Sequence, residues 1–87
     1  MPRNVEFSSL ALNQLMDWQR QDARAAAKLL ELIAECTRTP FEGRGKPEAL
    51  KGNYRGYWSR RITQEHRLIY RVTDDVIFVY SCWGHYT

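Results

Sequence analysis

Residues 57–83 read YWSRRITQEHRLIYRVTDDVIFVYSCW, and this stretch decides the fold. Three runs, Tyr57–Thr63, His66–Val72 and Val76–Trp83, are separated by the polar pairs Gln64–Glu65 and Asp74–Asp75. Runs this short, rich in β-branched and aromatic residues and bounded by turn residues, predict three strands in an antiparallel meander. In the middle strand His66, Leu68, Tyr70 and Val72 share one face, and Arg67, Ile69 and Arg71 share the other. A two-residue loop pairing Thr73 with Val76 would set Arg67 level with Cys82. It would also put Ile77, Val79, Ser81 and Trp83 on the His66 side. His85 then falls away from Arg67, unless the tail leaves the ladder at Gly84 or the register slips by one.

Outward from this meander, the periodicity changes. Residues 3–7, RNVEF, predict a short strand with Val5 and Phe7 on one face. From Ser9 to about Gln19, Ala11, Leu12, Leu15, Met16 and Trp18 fit a helical repeat, with Ser8 or Ser9 as its cap. Asp22 caps a second helix from Ala23 to Thr37, with Ala26, Leu29, Leu30, Ile33 and Cys36 or Thr37 as the apolar stripe. Pro40 stops it. Residues 41–56 hold four glycines and Pro47 and show no period, so they are expected to form an ordered loop or a partly irregular connection. The expected architecture is a single α+β domain over residues 1–87, two-layer, with an N-terminal helical hairpin packed on a mainly antiparallel sheet.

Charge is unevenly placed. The chain has 87 residues and a formal net charge of +3. Residues 43–71 carry eight of the thirteen Lys and Arg residues against two carboxylates, a local charge of +6. Tyr54, Tyr57 and Trp58 lie among these cations, a pattern that suits a polyanion such as RNA. Apolar runs are too short to cross a bilayer, and the first residues lack a secretory leader's apolar stretch. Cys36 and Cys82 sit in apolar patterns without metal-ligand spacing, so buried free thiols in a reducing, cytoplasmic setting are expected.

One carboxylate within the basic stretch, Glu48, has two readings. It is either a solvated loop residue balancing local charge or the general base of a ribonuclease. A ribonuclease that uses the RNA 2′-hydroxyl needs a base, an acid for the leaving oxygen, and cations to meet phosphorane charge. His85 is the candidate acid or else a terminal surface residue, and His66 ranks below it because it starts a strand. Arg67, Arg61 and Arg60 are candidates for phosphate neutralisation. Tyr86 could stack on a base, share in proton transfer or cover the end of the core. No carboxylate cage, zinc spacing, dinucleotide fingerprint or nucleophile elbow occurs, so neither metal nor cofactor is expected.

The runs PFEGRGKPEALKG (40–52), YWSRRITQEHRLIY (57–70) and CWGHY (82–86) resemble the YoeB/Txe toxins of the RelE-like superfamily. WQRQD (18–22) fits as well, and the resemblance spans nearly the whole chain. It implies a microbial-ribonuclease-like fold and an endonuclease that cuts mRNA in the ribosomal A site, held inactive by a YefM/Phd-type antitoxin. By motif it implies Glu48 as general base, Arg67 as transition-state cation and His85 as general acid, with Tyr86 beside the acid. Lys51 and Arg61 match RNA- or ribosome-contacting positions, and Arg60, Arg44 and Lys46 are carried as supporting cations. Expected partners are mRNA, the bacterial ribosome and the antitoxin, with no membrane; homodimerisation is left open. Trp83–Gly84 departs from the basic and aromatic pair expected before the final histidine. The competing reading is a non-catalytic RNA- or ribosome-binding protein that blocks translation by occupancy.

Overall fold

A computed structural model describes residues 2–85; Tyr86 therefore lies outside the described residues. In chain order the elements are β1 (Asn4–Phe7), α1 (Ser9–Gln21), α2 (Ala23–Cys36), β2 (Glu48–Ala49), a 3₁₀ turn (Gly52–Tyr54), β3 (Tyr57–Arg61), β4 (Arg67–Val72) and β5 (Val76–Ser81). The five strands form one sheet in the order β1-β5-β4-β3-β2. β1 runs parallel to β5, and the other pairings are antiparallel. The expected two-layer α+β architecture is present. The 41–56 segment is more ordered than expected, because it contributes a two-residue strand and a 3₁₀ turn. So short a strand carries no readable alternation.

Both helix starts are made by local side chains. Ser8 Oγ accepts from the Ala11 amide at 2.9 Å, and Asp22 accepts from the Ala25 amide at 3.1 Å. Each bond satisfies a donor that the first turn would otherwise leave unpaired. Asp22 is extended (φ −156°) and is both the end of α1 and the start of α2, which folds the two helices into a hairpin.

The core lies between the hairpin and one sheet face. Trp18 and Ala11 from α1, and Leu29, Leu32, Ile33 and Cys36 from α2, pack with Leu68, Tyr70, Ile77, Val79 and Cys82. The helical stripes are turned from the expected ones. Leu12, Met16 and Leu30 are exposed, whereas Leu32 is buried. Each helix has more apolar positions than one sheet-facing stripe can hold, and the surplus stays in solvent. Among the described residues, no helix is long and apolar enough to cross a membrane.

Arg60 requires a correction. Alternation turns it to the core side of β3, and it is fully buried. Its Nε donates to the Tyr70 hydroxyl at 3.2 Å, and Nη1 donates to the Glu35 carboxylate and the Arg44 carbonyl. Nη2 donates to the Thr39 and Glu42 carbonyls, and the Tyr70 hydroxyl donates to the Pro40 carbonyl at 2.6 Å. Arg60 thus laces residues 39–44 to the sheet and is not placed to meet a phosphate. Gly43 (φ +121°) closes against this knot: a Cβ there would run into the Glu35 carboxylate. The Arg44 amide hydrogen bond, opposed by burial and joined by the Arg44 and Arg60 guanidinium groups, holds the Glu35 carboxyl below its ordinary range.

The expected register holds only part of the way along β5. Val72 pairs with Ile77, Arg71 with Phe78 and Tyr70 with Val79, but Ile69 then pairs with Ser81. Tyr80 is an extra residue, a β-bulge, and it advances the rest of the tail by one position. Ser81 consequently moves to the Ile69 side of the sheet. On that outer face the rings of Tyr54, Tyr57 and Tyr80 cluster, and Ile69 is only 5% exposed.

Candidate active site

The outer sheet face carries the candidate residues. Glu48 on β2 pairs in register with Ser59 on β3, and Ser59 pairs with Ile69 on β4. One row nearer the hairpin turn, Arg61 pairs with Arg67, so these two cations are cross-strand neighbours on one face. Two like charges side by side are unfavourable alone and are relieved by an anion. The loop bearing Glu48 is tied to β3 on both sides. The Arg61 amide donates to the Gly45 carbonyl at 2.6 Å, and the Leu50 amide donates to the Tyr57 carbonyl at 2.9 Å.

Arg67 is half-buried and tethered. Its Nη1 donates to the carbonyls of Thr63 at 2.9 Å, Gln64 at 3.1 Å and His66 at 3.1 Å. His85 follows the bulged strand and lies beyond the ladder, where Gly84 takes φ +80°. Glu48, Arg67 and His85, with Leu50 and Ser59, line a single cavity of about 220 Å³. A carboxylate, a guanidinium and an imidazole around so small an open space can grip a phosphodiester and move protons on either side of it.

The remaining sequence candidates divide. Arg61 is exposed beside Arg67; Lys51, just after Leu50, is exposed, and so is Lys46 (φ +51°). Arg44 turns elsewhere: it pairs with Glu35 at 3.1 Å and Glu31 at 3.5 Å, and lines a separate depression of about 520 Å³. That larger depression contains no histidine, and its Glu35 is already ion-paired. Ser59 and Leu50 line the smaller cavity without having been singled out from sequence. Alternation along β3 places Ser59 on the Arg61 side, but its pairing with Glu48 depends on a strand too short to read.

A two-helix layer on a sheet ordered β1-β5-β4-β3-β2, with this cavity on the open face, defines the fold class of RelE- and YoeB-type toxins. The family described as the YoeB-like toxin of bacterial type II toxin–antitoxin systems matches residues 7–86, and the chain belongs to it. It is 58% identical over 80 residues to Toxin YoeB of Escherichia coli (strain K12), covering 92% of this chain and 95% of that protein. The fold superposes on the YoeB dimer from Staphylococcus aureus with a TM-score of 0.91 and 42% identity, covering 99% of this chain and 100% of that one. It also superposes on the toxin in the heterotetrameric YoeB–YefM toxin–antitoxin complex from the same organism, with a TM-score of 0.88 and 42% identity over the same coverage.

Proposed function

We propose that this toxin is a ribosome-dependent endoribonuclease that cleaves mRNA in the A site without a metal, using Glu48, Arg67 and His85. The observation that carries the reading is that these three side chains line one cavity. Glu48 takes the proton from the 2′-hydroxyl, and the 2′-oxygen attacks the adjacent phosphorus. Arg67, with Arg61 beside it, meets the charge that develops on the non-bridging oxygens. His85 gives its proton to the departing 5′-oxygen as the P–O bond breaks. The products are a 2′,3′-cyclic phosphate, or its 3′-phosphate hydrolysis product, and a 5′-hydroxyl. DNA lacks the nucleophile and is not cut. Lys51, Lys46 and Tyr86 are assigned to RNA or ribosome contact around this centre.

The partner side of the reading follows the relatives. The Staphylococcus aureus YoeB is found with the antitoxin YefM and as a dimer. For this chain we assign a YefM-type antitoxin whose acidic segment covers the basic outer face or draws the His85 tail away from Glu48. The site of action is the cytoplasm, where ribosomes are.

The test maps mRNA ends in a reconstituted translation reaction with the native protein and with His85→Ala. New 5′-hydroxyl ends at ribosome-occupied codons, lost in the variant, are the expected result. Translation arrest with intact mRNA for both proteins would instead establish inhibition by occupancy.

A further inference from the structure

His85 lies past the last strand, so its placement depends on what holds the residue before it. Gly84 is gripped from both sides by two consecutive residues, His66 just before β4 and Arg67 at its start. Its amide donates to His66 Nδ1 at 2.8 Å, and its carbonyl accepts from the Arg67 amide at 2.8 Å. We propose that His66 is a positioning residue for His85: its Nδ1 clasps the Gly84 amide and so aims the neighbouring imidazole into the Glu48–Arg67 cavity. This rests on the reading of His85 as the general acid.

The clasp is itself well supported. The His66 amide donates to Thr63 Oγ1 at 3.2 Å, and its carbonyl accepts from the Ile62 amide at 2.9 Å. Its ring meets Trp18 edge-on, with centroids 4.9 Å apart, and packs against Trp83 at 4.6 Å. Trp18 is anchored in turn, because its indole N–H donates to the Cys82 carbonyl at 2.8 Å. α1, β4 and the tail therefore converge on one imidazole. For Nδ1 to accept, the His66 proton must sit on Nε2, so the clasp uses the neutral ring in one tautomer.

Gly84 suits this arrangement. Its φ of +80° lies in the left-handed region that residues with a Cβ avoid, and nothing lies within 4 Å of where a Cβ would stand. The constraint is thus conformational, and a backbone held there by two hydrogen bonds points the next side chain in one direction. An acid displaced by about 1 Å can lose a hundredfold in rate, while substrate grip by Arg67, Arg61 and Lys51 is untouched. His66 should therefore act on kcat and leave KM nearly unchanged.

The test compares His66→Ala, His66→Asn and His66→Gln in cleavage of ribosome-bound mRNA, with hydrogen exchange of the Gly84 amide measured in parallel by NMR. Asn sets an acceptor where Nδ1 was; Gln reaches the Nε2 position instead. The expected result is a kcat about 10- to 100-fold lower for the Ala and Gln variants, KM within about threefold, and faster Gly84 exchange. His66→Asn should recover most of the rate and the slow exchange. On a His85→Ala background, His66→Ala should cost nothing further, since both act through one group. Native kcat in a folded His66→Ala protein, or a His66→Asn variant as impaired as His66→Ala, would overturn the proposal. If the native protein cuts no mRNA, the endonuclease reading fails instead; Gly84 exchange still decides the clasp, and unchanged protection in His66→Ala would refute it.

Discussion

Ile69 stands opposite Ser81, although its neighbour Tyr70 stands opposite Val79. The single extra residue between them, Tyr80, decides where the tail arrives. In an unbulged ladder the Arg67 position would meet Cys82. With the bulge, the Arg67 amide bonds the Gly84 carbonyl at 2.8 Å, and His85 reaches the cavity that Glu48 and Arg67 line. Bulges next to active sites commonly re-aim a side chain in this way.

Arg67→Ala should remove the cation facing the phosphorane. A loss of about 10²–10³ in the single-turnover rate is expected, equivalent to about 3–4 kcal/mol. The fold should survive, since Arg67 is partly exposed and its hydrogen bonds go to one turn. Single-turnover cleavage and a thermal melt check both halves, and a decrease of only a few-fold would exclude the assigned role.

Arg60→Met should do the reverse. Removing the buried guanidinium leaves the carbonyls of Thr39, Glu42 and Arg44 without this donor and leaves Glu35 with Arg44 alone as its close cation. Each acceptor left unpaired away from water costs about 1–3 kcal/mol, to be read as a lower urea midpoint. Arg61→Ala, at an exposed position, should change stability by less than about 0.5 kcal/mol yet weaken RNA binding.

Glu35 sets an acid limb to stability. Its carboxyl is held below the ordinary value of 4.5, chiefly by the Arg44 amide, against burial and with help from the Arg44 and Arg60 guanidinium groups. The unfolded chain therefore binds this proton more readily than the folded one. The contribution is fully present above pH 4.5 and is lost as pH falls through the lower folded-state value. Urea titrations of the native protein and Glu35→Gln, run from neutrality into the acid range, should differ most near neutrality and converge as the carboxyl is protonated in the folded state. A gap of constant size across that range would contradict the assignment.

Both thiols should be silent in the folded state. Cys36 and Cys82 are free and buried. Burial raises Cys36 to about 11, against a lowering by the Arg60 charge, and raises Cys82 to about 12. Thiol reagents at about pH 8 should label neither until denaturant is added, because only the thiolate reacts. Mass spectrometry of labelled native and unfolded protein provides the check.

Much of this was legible in the residues. Strand alternation across His66–Val72 sorted Leu68 and Tyr70 into the core and Arg71 onto the other face, and the two helices end within about two residues of where caps and Pro40 set them. Glu48 and His85 were singled out from residue chemistry, the resemblance chose Arg67 over Arg60 and Arg61, and the three line one cavity. Three things were hidden for physical reasons. A bulge leaves no mark in hydrophobic patterning, so Ser81 was put on the wrong face. A two-residue strand has no period, so the Glu48–Ser59 pairing was unreadable. Arg60 looks like its neighbour Arg61, and only the partners folded around it show that it is structural.

The parallel pairing of β1 with β5 has a consequence for synthesis. Asn4–Phe7 is made long before Val76–Ser81, yet among the described residues that later segment is its one neighbour in the sheet. β4 likewise lacks one of its two partners until that segment exists. A nascent chain can form the helical hairpin early, but the sheet has no complete order to settle into until β5 has been made. The residues that follow β5 carry His85, so Glu48 and Arg67 are made well before the side chain that closes the cavity with them, and the last strand and the last wall of that cavity arrive together.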